Sequence, residues 1–280
     1  MNSKRLTIHL VLLAAMGLLV FGPETSAQTI WYVNASQTTY TPPVTGYGQS
    51  FEKAFPYLQD ALTAAQSGDT VRIAQGWYFP DNDDDYPSST HVPDLQTHSF
   101  VMKDDVLILG GWEGTGNPGN WDPEIYVTHL SGDIDGHNDN DNDPLTQSAR
   151  TQNSFIVVRG GESGFPVDDT AVLEGCVVRD GHDEWIAARG AGLFVPGNED
   201  QSTPRIKNCV FTRNLTGGAG GGAFVDFASE GSELEIWFEN CRFIANQSGS
   251  GGGLAGEHNS ILLVTDSEFR EPESLAVSGH

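Results

Sequence analysis

The sequence predicts an all-β chain, a right-handed parallel β-helix (solenoid) with an N-terminal amphipathic capping helix, and three observations carry that expectation. The first is an internal repeat: Asn208-Cys209-Val210-Phe211-Thr212-Arg213-Asn214 and Asn240-Cys241-Arg242-Phe243-Ile244-Ala245-Asn246 share the form N-C-x-F-x-x-N at an offset of 32 positions. Gly175-Cys176-Val177-Val178-Arg179-Asp180 fits the same frame, with Cys176 standing 33 positions before Cys209, and Asp266-Ser267-Glu268-Phe269 is a fourth, looser copy. A fixed period of this size marks stacked supersecondary units. The second observation is an independent landmark with the same period: Gly190-Ala191-Gly192-Leu193, Gly220-Gly221-Gly222-Ala223 and Gly251-Gly252-Gly253-Leu254. The third is composition, since 33 glycines against only 14 lysines and arginines suit turn-rich β structure better than helices.

Residues 1–27 read as a signal peptide. Lys4 and Arg5 precede an apolar stretch from Leu6 to Phe21, and Thr25-Ser26-Ala27 offers the small residues at which signal peptidase cuts, so cleavage is expected after Ala27. The chain is therefore expected to be secreted or held at the cell surface, with no membrane insertion once that segment is removed.

Residues 28–150 are expected to form an N-terminal cap and the first coils, with acidic loop insertions. Phe55, Leu58, Ala61, Leu62 and Ala65 recur at helical spacing, with Pro56 placed for the first turn and Gly68 for the C-terminal cap. Val71 and Ile73 read as a strand leading to Gly76-Trp77-Tyr78, and Val106-Leu107-Ile108-Leu109 as a buried strand leading to Gly110-Gly111-Trp112. The helix is expected to cover the first coil, whose strand edges would otherwise stand unpaired.

Residues 151–280 are the repeat region. Alternation places Cys209 and Phe211, and likewise Cys241 and Phe243, on one inward face, and turns Val210 and Arg242 outward. Asparagines at the strand ends suit corners, because asparagine tolerates left-handed backbone angles and in-register copies hydrogen-bond as ladders. Cys176, Cys209 and Cys241 align in the frame and read as buried, unpaired fillers; one disulfide with a spare thiol is the alternative that an odd count in an exported chain leaves open.

Charge narrows the partners. A formal net charge of −24 repels phosphate backbones and anionic lipid, so nucleic acid is excluded as a partner and cations are favoured. Asp133, Asp135, Asp139, Asp141 and Asp143, interleaved with Asn138, Asn140, Asn142 and Gly136, offer the oxygen-rich shell that calcium prefers. The same run also reads as a solvated loop between coils, and it lacks the closing glutamate of an EF-hand. Asp81–Asp85 forms a second acidic cluster. The solvated loop is the favoured reading, so no cofactor is expected, with calcium as the alternative.

The pattern F-x-x-N followed by a glycine triplet and a small apolar residue, carried by Phe211-Asn214 with Gly220-Ala223 and by Phe243-Asn246 with Gly251-Leu254, resembles the repeats of bacterial secreted right-handed parallel β-helix proteins. These belong to the pectate-lyase-like superfamily and include the polymorphic outer-membrane proteins. Trp31-Tyr32-Val33-Asn34, Tyr57-Leu58-Gln59-Asp60-Ala61-Leu62, Ser67-Gly68-Asp69 and Leu130-Ser131-Gly132-Asp133 resemble their entry region, so the likeness spans nearly the whole chain after residue 27. Phe269-Arg270-Glu271-Pro272 departs from it by lacking the corner asparagine.

The resemblance implies an architecture that hosts adhesins, lyases and hydrolases alike. A non-enzymatic, adhesive or glycan-contacting scaffold, with a polysaccharide or host-surface partner, is the leading expectation; a polysaccharide lyase or glycoside hydrolase is the alternative. For the hydrolase, Asp168-Asp169, Gly181-His182 and Arg205-Ile206-Lys207 occur in the order seen in polygalacturonase-type enzymes, where paired carboxylates protonate the leaving group and activate water. Their intervals are shorter than that family's coil spacing. Asp168, Asp169, His182, Arg205 and Lys207 are therefore expected at two or more separate positions, with no catalytic site among them.

Overall fold

A computed structural model of the chain describes residues 27–37, 46–80, 95–134, 152–162, 164–197, 201–226, 233–257 and 259–270. Nearly all of the segment expected to be a signal peptide, the calcium candidates Asp135, Asp139, Asp141 and Asp143, and the Asp81–Asp85 cluster lie outside them.

Strand is the predominant regular structure, with one α-helix among the described residues. The chain opens with β1 (Ile30–Val33) and α1 (Leu58–Ala64), then runs through repeated passes. The first pass gives β2 (Thr70–Ala74), β3 (Gly76–Tyr78) and β4 (Phe100–Val101); the second gives β5 (Leu107–Trp112), β6 (Thr128–Ser131) and β7 (Val158–Arg159). The third comprises β8 (Val172–Glu174), β9 (Cys176–Arg179), β10 (His182–Asp183) and β11 (Leu193–Val195). The fourth repeats this order as β12 (Arg205–Lys207), β13 (Val210–Thr212), β14 (Leu215–Thr216) and β15 (Ala223–Val225). Then come β16 (Leu234–Glu239), β17 (Arg242–Ile244) and β18 (Leu254–Gly256), and finally β19 (Ser260–Thr265) and β20 (Glu268–Arg270).

Each strand pairs in parallel with its counterpart one pass later. The result is three stacked parallel sheets, β1-β2-β5-β8-β12-β16-β19, β3-β6-β9-β13-β17-β20 and β4-β7-β11-β15-β18, with the short pair β10-β14 between the second and third. The register is the one the repeats predict: Val210 lies opposite both Val177 and Arg242, and Phe211 opposite Phe243. Inward side chains consequently form columns. In the second sheet the column runs Tyr78, Leu130, Val178, Phe211, Phe243, Phe269; in the first it runs Val71, Ile108, Leu173, Ile206, Phe238, Val264. All but the last member of each are buried, and those two are 53% and 37% exposed, since among the described residues no further strand lies on them.

The corners explain the remaining sequence landmarks. Between the first and second sheets, Gly175, Asn208, Asn240 and Asp266 occupy equivalent positions, all with φ between 50° and 71°. Glycine avoids the steric cost of that conformation, and Asn or Asp bears it best among side-chain residues. After the second sheet the left-handed residue is Asp180, Arg213 or Ala245. The asparagines that follow, Asn214 and Asn246, are not left-handed; they form the predicted ladder instead, Asn214 Nδ2 donating to Asn246 Oδ1 at 3.1 Å. In the glycine triplets the first member is left-handed (Gly190, Gly220, Gly251). The third lets the next pass approach, since a Cβ on Gly192 would strike the Gly222 carbonyl and one on Gly222 the Gly253 carbonyl.

The helix is shorter than its periodicity predicts. Phe55 instead bridges Val33, Pro56 precedes the helix, and Ala65 is already extended. Lys103 Nζ donates to the carbonyls of Leu62 (3.0 Å) and Ala65 (2.6 Å), closing that end in place of Gly68. α1 packs on β1, β2 and β4.

Candidate functional site

Between β5 and β6 the chain leaves the stack and folds back on itself. Gly111 starts this excursion with φ 86°, and a Cβ there would crowd Pro123. Trp121 then bridges Trp112 in antiparallel fashion and donates its indole N–H to the Gly110 carbonyl at 2.8 Å. The Asp122 N–H donates to the Gly111 carbonyl at 2.8 Å, while its carboxylate accepts from the backbone N–H groups of Glu124 (3.0 Å) and Ile125 (3.3 Å). This side-chain-closed turn is what Asp favours at such a position. It stands Trp121, Asp122, Pro123 and Glu124 up as a wall beside the corner of the stacked sheets.

The wall, the corner residues Gly175, Asn208 and Asn240, and the outward residues Val177, Val210 and Arg242 enclose a groove of about 700 Å³ crossing three successive passes. Its corner is a directional amide ladder: Asn240 Nδ2 donates to Asn208 Oδ1 at 2.7 Å, and Asn208 Nδ2 donates to Glu174 Oε1 at 2.7 Å. The terminal carboxylate polarises both amides, which makes their carbonyls better acceptors and strengthens the ladder. Arg242 reaches across toward Glu124, at 4.0 Å. Trp121 is 44% exposed at the rim. An aromatic surface, two carboxylate acceptors, amide donors and a guanidinium over a small apolar floor can hold a polyhydroxylated chain. Cys176 and Cys209 also border the groove, but burial pushes the Cys176 thiol up to about 12 and that of Cys209 well above its ordinary value, so neither supplies a thiolate.

A second groove, about 760 Å³, lies between α1 and the outer side of β4, lined by Leu62, Val101, Met102, Phe165 and Pro166. Its polar groups have internal tasks: Lys103 closes α1, and Asp104 accepts the Asp168 N–H at 2.9 Å. It therefore offers a polar ligand less than the corner groove does.

The residues of the hydrolase alternative are distributed as follows. Asp168 accepts from Thr170 Oγ1 (2.5 Å) and the Thr170 N–H (2.8 Å), bonds that hold its pKa below the ordinary value. Asp169 pairs with Arg205 at 2.8 Å on the outer face of the first sheet, where the Arg205 guanidinium lies 5.5 Å from the Trp237 ring centre. Lys207, on the same face, points to Glu239 at 3.5 Å. His182 belongs to β10 in a different sheet, buried, with its backbone N–H donating to the Ser154 carbonyl at 2.9 Å and Nε2 3.6 Å from Glu184. Thus Asp169 and Arg205 meet, and His182 stands apart from them. Asp133, the described member of the calcium set, is buried, and its N–H donates to Ser131 Oγ at 3.2 Å. Among the described residues no three His, Cys, Asp or Glu side chains group to hold a metal ion, and no helix is long and apolar enough to cross a membrane.

Two features escape the sequence reading. One is the wall at 121–124. The other is a buried ion network: Asp180 accepts from Arg179 Nε at 2.6 Å and Arg213 Nε at 3.1 Å, with the Arg179 guanidinium 4.9 Å from the Trp77 ring centre. A signal for the network was present, because Arg179 pairs in register with Thr212 and so Asp180 and Arg213 share one corner position with opposite charges. Comparison of the chain with protein-family models, with curated proteins and with solved structures finds no match.

Proposed function

We propose that the chain is a secreted or cell-surface right-handed parallel β-helix of the pectate-lyase-like kind, capped at its first pass by α1, that contacts a glycan without transforming it. The corner groove carries this reading. It is concave, spans three passes, and sets an exposed tryptophan beside carboxylates and amides, which together suit stacking on a sugar ring and bonding its hydroxyls. The carboxylates support binding over catalysis: Asp122 is occupied in closing its turn, and Asp168 and Asp169 are held by Thr170 and Arg205 away from His182. Proton transfer to a glycosidic oxygen calls for a carboxylic acid with a raised pKa opposite a second carboxylate.

The test is affinity electrophoresis and calorimetry of the secreted protein against a panel of soluble polysaccharides, with product analysis of the same mixtures. Binding without new reducing ends or unsaturated products, weakened about tenfold or more by Trp121→Ala and by Asn240→Ala, is the expected result. Both variants are first checked for native melting. Absence of binding to every polysaccharide, or chain cleavage by the purified protein, would replace the reading.

A further inference from the structure

We infer that the corner groove takes a neutral glycan and discriminates against uronate chains; the inference rests on the glycan reading above and concerns the class of sugar. The lining charges are Asp122 and Glu124 on the wall against Arg242 on the floor. Glu174 adds a third carboxylate at the foot of the amide ladder, within hydrogen-bond distance of Asn208. The one guanidinium among the lining residues already faces Glu124 at 4.0 Å, so a uronate carboxylate would have to compete with that partner. Lys207, at the end of β12 next to Asn208, is turned to Glu239 at 3.5 Å. All of this sits on a chain of net charge −24.

A sugar hydroxyl donates to a carboxylate and accepts from an amide, so each polar group of the groove finds a complement in a neutral chain. A uronate carboxylate only accepts. At that position it offers Asp122 and Glu124 no further donor, and it brings a like charge within a Debye length, about 10 Å at 0.1 M salt. A lost hydroxyl donor and like-charge approach both act against the wrong ligand, which is how a site rejects rather than merely prefers.

The experiment pairs a neutral hexose oligosaccharide with the uronic-acid oligosaccharide of the same linkage and length, titrated calorimetrically in EDTA at low and at high salt. The neutral ligand is expected to bind about tenfold or more tightly at low salt, with the gap narrowing as salt screens the repulsion. Glu124→Gln, at a largely solvent-exposed side chain, is expected to narrow the ratio further by removing one repulsive charge and releasing Arg242. Equal or tighter uronate binding at low salt, or a ratio unmoved by Glu124→Gln, overturns the inference while leaving glycan binding intact. Binding of neither ligand, coupled with no binding across the polysaccharide panel, overturns the glycan reading itself.

Discussion

Replacing Phe243 by alanine is expected to destabilise the fold by about 3–5 kcal/mol. Its ring is buried and lies parallel to Phe211 on one side, at 5.0 Å and 10°, and to Phe269 on the other, at 4.7 Å and 5°, with the edge of Phe238 at 5.7 Å. Burying a phenylalanine is worth roughly 1.5–3 kcal/mol. The cavity adds to this, because the strands above and below are fixed by their ladder bonds and cannot close over the space. Two neighbouring substitutions calibrate the number. Phe269→Ala removes a ring that is 53% exposed and, among the described residues, stacks on Phe243 alone, so about 1–2 kcal/mol is expected. Arg242→Ala changes the residue beside Phe243 in sequence but on the opposite face of β17, and should alter stability by about 0.5 kcal/mol or less. Urea titrations followed by tryptophan fluorescence and by circular dichroism give all three values, and coincidence of the two probes shows whether the stack unfolds as one unit or from an end. If Arg242→Ala costs as much as Phe243→Ala, or Phe269→Ala does, the inward column assigned here is wrong.

Three further outcomes follow from other parts of the stack. Asp180→Asn leaves two buried guanidinium groups without their carboxylate and should cost about 3–5 kcal/mol, whereas Asp169→Asn, at a half-exposed surface pair, should cost under about 1 kcal/mol; equal midpoints in urea would contradict this. Gly222→Ala forces a Cβ toward the Gly253 carbonyl and should lower stability by about 1–3 kcal/mol, which a wild-type melting temperature would refute. Burial pushes the Cys176 and Cys241 thiols up to about 12, so the native chain should resist a thiol reagent at mildly alkaline pH and react only as it unfolds. Between the ordinary thiol range and about 12 the unfolded chain has released protons that the folded chain retains, so stability should fall as pH rises through that window. Urea midpoints measured at increasing pH check the sign, and a midpoint that climbs would be the wrong one.

What was legible in the sequence is what the stack repeats. Cys176, Cys209 and Cys241 could be aligned because each pass imposes one environment on one position, and the same holds for Phe211 with Phe243 and for the first glycine of each triplet. The helix reads longer than it is because Phe55 is apolar for a different reason, its ring packing on Trp31 where the backbone bridges Val33, and periodicity cannot separate a helix face from a strand partner that happens to continue it. The groove divides along the same line. Asn208 and Asn240 are visible as a ladder, yet the wall that turns the ladder into one side of a groove comes from a single excursion with no counterpart in any other described pass. Trp121, Asp122 and Glu124 therefore had no register to be read against, and only the fold-back set by Gly111 and the Asp122 turn brings them to the corner. Along a stack of near-identical passes every outward position resembles its neighbours, so a ligand can be held at one place only where something aperiodic marks it. The excursion at 113–127 is such a mark, which is why the groove, rather than the more regular outer face bearing Arg205 and Lys207, is where this chain should be probed first.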